Sequence, residues 1–79
     1  MFVADTFNNR VLVYSPFPTT NNPAASIVLG QPDFIHRDFN AGNPSPSAKT
    51  LGEPYGLSIT GSQLLVADFA NARILVFGL

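Results

Sequence analysis

Residues 3–14 read VADTFNNRVLVY, and residues 66–77 read VADFANARILVF. Val3, Ala4 and Asp5 recur as Val66, Ala67 and Asp68. Asn8 recurs as Asn71, Arg10 as Arg73, and Leu12 with Val13 as Leu75 with Val76. The register holds without a gap at a constant offset of 63 positions (66 minus 3) in a chain of 79. Self-similarity at fixed spacing signals a repeat architecture, in which one supersecondary unit buries its apolar face only against a neighbour like itself.

Each copy parses as strand, turn, strand. In the second, residues 63–67 and 73–77 are apolar runs bounded by Asp and Asn, and the short link between them makes the pair a hairpin. The first copy repeats this over residues 2–4 and 10–14. Two more runs, 26–30 and 55–60, bring the expected count to six strands with no helix. The latter enters the next strand through Thr60, Gly61 and Ser62, a polar turn with the glycine that hairpins favour. The runs at 11–14, 27–29, 64–67 and 74–77 are continuously apolar rather than alternating, which predicts strands covered on both faces.

Residues 15–25 and 31–54 are rich in Pro, Asn, Ser and Gly and read as connections. The second is long for a structureless link. Its centre, residues 42–47, is expected to be disordered, and the connection as a whole to be dispensable, so that shortening it leaves stability nearly unchanged, while Phe34 and Phe39 mark the part that packs. The resulting organisation is a partial unit at 1–30, a connection at 31–54 and a second partial unit at 55–79.

Composition narrows the function classes. A net charge of −1 with 11% charged residues supplies no basic footprint for nucleic acid and no polybasic segment for anionic lipid. No apolar run approaches a membrane span, and the start has no charged and then apolar leader pattern. The chain has no cysteine, so neither a disulfide nor a thiolate metal site staples it. Nothing in the sequence assigns a compartment.

Asp5, Asn8 and Arg10, with their counterparts Asp68, Asn71 and Arg73, could grip a polar ligand. Their presence in both copies points instead to a role that every repeat needs. Asp accepts hydrogen bonds from turn amides, Asn tolerates left-handed backbone, and Arg reaches back to the carboxylate. The expectation is a structural turn network. His36 is the single histidine, with Asp33 and Asp38 nearby; it is the one metal candidate, and the ordinary reading is an exposed loop residue. No Gly-x-Ser-x-Gly elbow and no phosphate loop is present, so no enzyme class is supported and no cofactor is expected.

The twice-written phrase VAD-x-x-x-N-x-R-[VI]-L-V-[FY] resembles the NHL-repeat family of β-propellers. Glu53-Pro54-Tyr55-Gly56-Leu57 and Val28-Leu29-Gly30-Gln31-Pro32-Asp33-Phe34 extend the resemblance over most of the chain. It implies blades of four antiparallel strands, with strands 2–4 of one blade in the first unit and strands 1–3 of the next in the second. The spacing departs from the ~40–45 residues usual for propeller repeats by about the length of the enlarged connections. One and a half blades cannot close a ring, so the implied partner is the chain itself, in two to four copies with three favoured. Such propellers serve mainly as interaction scaffolds, though some bind RNA or catalyse reactions, and the resemblance implies first a non-catalytic module with a protein or peptide ligand. The alternative is a metal-dependent hydrolase or lyase using His36 with Asp33 or Asp38.

Overall fold

The computed structural model describes residues 1–15, 19–21 and 23–78, so part of the expected 15–25 connection and the last residue lie outside the described residues. Among the described residues six strands form two antiparallel sheets: β1 (Phe2–Asp5), β2 (Arg10–Val13) and β3 (Ile27–Leu29) in one, β4 (Pro54–Thr60), β5 (Gln63–Asp68) and β6 (Arg73–Gly78) in the other. Each strand falls within one or two residues of its expected run. Strand order follows chain order in both sheets, as hairpin connections dictate.

The repeat is reproduced in the turns. β1 pairs with β2 from Asp5↔Arg10 to Phe2↔Val13, and β5 pairs with β6 from Asp68↔Arg73 to Gln63↔Gly78. Between them lies one turn of 3-10 helix, Thr6–Asn8 in one copy and Phe69–Asn71 in the other. It ends on a left-handed residue, Asn9 (φ 54°) or Ala72 (φ 52°), whose N–H donates back to Thr6 or Phe69. The sequence reading placed the left-handed conformation at Asn8 and Asn71. It belongs one residue later, which frees the Asn8 and Asn71 side chains to bond elsewhere.

β4 begins at Pro54, opposite Asp68, and slips before Leu57 meets Val66. Tyr55 and Gly56 together oppose Ala67, a bulge at the strand entrance, where proline is tolerated because no ladder N–H is required of it.

The sheets face each other. Val11 joins Leu64 and Val66 in one fully buried cluster, with Phe2, Leu29, Leu57, Leu75 and Phe77 packed around it. Directly paired residues share a face, so Phe2, Val11, Val13 and Leu29 line the inner face of the first sheet. Leu57, Leu64, Val66, Leu75 and Phe77 line that of the second. The continuous apolar runs predicted cover on both faces; within one chain each sheet has cover on one. Ile74 (61% exposed) and Val76 (50%) stand on the outer face of the second sheet and Val3 (37%) on that of the first.

The fourth member of the core comes from the long connection. Leu51 is fully buried in the same cluster, and Gly30 accommodates it: a Cβ at residue 30 would lie 2.7–2.9 Å from the Leu51 side chain, and φ there is +95°. Asn40, Thr50 and Gln31 are buried with it. This corrects the expectation of a dispensable link. Phe34 and Phe39, expected to carry its packing, are about half exposed, although the Phe39 ring closes on Gly52. Within 42–47, expected to be disordered, Gly42 ends a turn (Phe39–Gly42) whose Asn40, Ala41 and Gly42 are left-handed, and Ser47 is hydrogen-bonded to Thr50. Residues 43–49 form the exposed tip.

Candidate functional site

The Asp, Asn and Arg of each copy converge on one carboxylate. Asp68 Oδ2 accepts from Asn71 Nδ2 at 2.8 Å and from Arg73 Nε at 2.7 Å, while Oδ1 accepts from the Gly52 N–H at 2.7 Å. Asp5 Oδ2 accepts from Arg10 Nε at 2.8 Å, and Asn8 Nδ2 lies 3.0 Å from Oδ1. The spacing explains the geometry: Asp ends one strand, Arg starts the next directly opposite, and the intervening 3-10 turn aims the Asn amide inward. The donors to the carboxylate are therefore side chains, and at Asp68 a connection N–H, rather than the turn amides expected from sequence.

The arginines reach further than the turn. Arg73 Nη2 donates to the Ser47 and Thr50 carbonyls at 2.7 and 2.8 Å, and Arg10 Nη1 donates to the Phe34 carbonyl at 2.7 Å. Each guanidinium thus ties a hairpin to the 31–53 connection, using the fork of donors that distinguishes arginine from lysine. Asn9 adds two ties: its Nδ2 donates to the Arg37 carbonyl and its Oδ1 accepts from the Glu53 N–H. Gln31 Nε2 donates to the Asn9 and Asp38 carbonyls, and the Asn40 and Asn71 amides pair reciprocally. Asn9, Gln31 and Asn40 escaped the sequence reading. The signal for Asn9 was its place just after the turn; for the others the surplus of Asn and Gln around the connection was the only hint.

The two copies differ in exposure. The Asp68 side chain is fully buried, whereas Asp5 is 27% exposed and, among the described residues, receives no backbone N–H. A carboxylate that accepts from three donors and is sealed from solvent presents no accessible oxygen to a substrate or metal. Asp5 presents its own hairpin's partners and little else.

His36 lies on the connection, exposed, with Nδ1 2.8 Å from Asp33 Oδ1. The same oxygen accepts the Ile35 and His36 N–H groups, so Asp33 closes a compact turn. Those N–H donors and the imidazole hold the Asp33 carboxyl down at about 2. The hydrogen bond to Asp33, and then its charge, raise His36 above its usual 6.5. Among the described residues, the structure joins His36 to Asp33 alone. Among the described residues no three His, Asp or Glu side chains gather as a metal centre would require.

Several large apolar side chains stand exposed on the surface. At the turn end Phe7 (81% exposed) and Phe69 (67%) project outward, the latter edge-on to Tyr55 with centroids 5.3 Å apart. No family model, curated protein or solved structure matches the chain.

Proposed function

We propose that this chain is a non-catalytic scaffold of propeller type, similar to the NHL repeats, and that it self-associates into a closed ring whose loop face receives a protein or peptide. One observation carries the reading. Two sheets written by the same phrase stack face to face, and each still presents an apolar outer face, with Ile74 and Val76 on one side and Val3 on the other. Contiguous exposed apolar surface of this kind marks an interaction site, and a repeat that buries one face on its neighbour offers the other for the same purpose. The metallohydrolase alternative has the His36–Asp33 pair and, among the described residues, no third donor beside it, so the scaffold reading is the better supported.

Small-angle scattering tests it. A ring gives a radius of gyration well above the 12.1 Å of the single chain and independent of dilution above its dissociation range. A value that stays near 12.1 Å at every concentration overturns the self-associating scaffold.

A further inference from the structure

The repeat specifies which surfaces of neighbouring copies meet, given the self-association proposed above. Shifting the inner face of the first sheet by 63 positions carries Phe2, Val11 and Val13 onto Leu65, Ile74 and Val76, the open face of the second sheet. Shifting the inner face of the second sheet back by 63 carries Val66, Leu75 and Phe77 onto Val3, Leu12 and Tyr14, of which Val3 and Leu12 pair on the outer face of the first sheet. The two surfaces left open are thus the repeat images of the two surfaces that already pack together inside the chain.

We infer that the occupant of each open face is a second copy of this chain, docked head to tail: the β4–β6 outer face of one copy on the β1–β3 outer face of the next. The contact continues the internal sheet-to-sheet interface by one further step. Charge suits the pairing. The outer face of the second sheet carries no charged side chain, and the two charges on that of the first, Asp5 and Arg10, neutralise one another at 2.8 Å. Unlike faces meet, so the contact is heterologous and must either close into a ring or run on as a filament. A symmetric pairing of two β4–β6 faces would match a surface with itself, which the internal interface never does.

The absence of cysteine makes the test clean. Val11 and Val66 sit in one buried cluster, and their repeat images are Ile74 and Val3. Val3→Cys and Ile74→Cys variants of the 79-residue chain are prepared separately, mixed under exchange conditions and oxidised or treated with a short bismaleimide. Head-to-tail docking predicts covalent dimers in the mixture and none in either variant alone. A chain carrying both substitutions gives a ladder that stops at the ring size. Tyr14→Cys with Val76→Cys is a second pair, the image of Phe77 and Val13, which line one cleft. Its agreement guards against one distorted site. Cross-linking of Ile74→Cys to itself overturns the inference in favour of symmetric pairing. An oligomeric mass without either mixed cross-link overturns the face assignment and leaves the scaffold reading standing. A single-chain mass throughout overturns both, and the open faces then belong to a different partner.

Discussion

Replacing Asp68 by alanine removes an acceptor from three donors at once: the Gly52 N–H, Asn71 Nδ2 and Arg73 Nε, all within 2.8 Å. Two of these donors have other partners, because Asn71 Nδ2 also donates to Asn40 Oδ1 and Arg73 retains the Ser47 and Thr50 carbonyls. Among the described residues the Gly52 N–H has only Asp68. An orphaned buried N–H costs about 1–3 kcal/mol, and a hydrogen bond to a charged group contributes about 1.5–3 kcal/mol. Relief of the carboxylate's own desolvation offsets part of the sum. Taking the lower part of each range, Asp68→Ala should destabilise by about 3 kcal/mol. The same substitution at Asp5 supplies an internal control. Its side chain is 27% exposed and, among the described residues, holds no backbone donor, so water replaces much of what is lost and the cost falls to about 1 kcal/mol. Urea denaturation followed by circular dichroism, at one fixed chain concentration, measures both. In thermal melts Asp68→Ala should lower Tm by about 12 °C or more, at about 4–8 °C per kcal/mol for a domain of this size. Asp68→Asn, which leaves one oxygen for Gly52, should fall between the parent and alanine. Equal losses at Asp5 and Asp68, or an Asp68→Ala chain as stable as its parent, would refute the burial argument and return the Asp/Arg pair to the list of ligand sites.

Leu51→Ala should cost about 2–5 kcal/mol, the range for emptying a sealed core site, and a neutral result in the same urea titration would show that the connection does not belong to the core. His36 should titrate by NMR with a midpoint above 6.5, moving back toward 6.5 in Asp33→Asn. The raised histidine value holds the turn below pH 6.5 and releases it as pH rises through the elevated midpoint. The lowered aspartate value holds it above 3.8 and releases it as pH falls through about 2, so the turn is firmest between 3.8 and 6.5. An unshifted midpoint in both proteins would deny the pairing. Limited proteolysis should cut first within residues 43–49, the exposed tip, and first cuts inside β5 or β6 would contradict the fold.

The strands were legible because a repeated phrase is read twice, and agreement between copies fixes register as well as type. Asp and Arg at a spacing of five betray a hairpin with the pair across its mouth, and the structure puts both pairs there. The connection was less legible. Leu51 stands alone among Thr, Gly and Glu, so no periodicity announces a core residue, and its burial depends on Gly30, twenty-one positions away (51 minus 30), leaving room for it. Asn40, Gln31 and Asn9 resist sequence reading for a related reason: a buried amide is defined by the carbonyls and amides that tertiary folding brings to it. The left-handed residue was misplaced by one because Asn is the usual occupant of that conformation, and the second copy puts Ala72 there instead.

Native mass spectrometry of the intact chain tests the central claim most directly. Stacked repeat units with unlike open faces predict one dominant species at two to four times 8.5 kDa, three favoured, that neither grows with concentration nor leaves free chain above its dissociation range. A folded, β-rich species that remains at 8.5 kDa at all concentrations would contradict it.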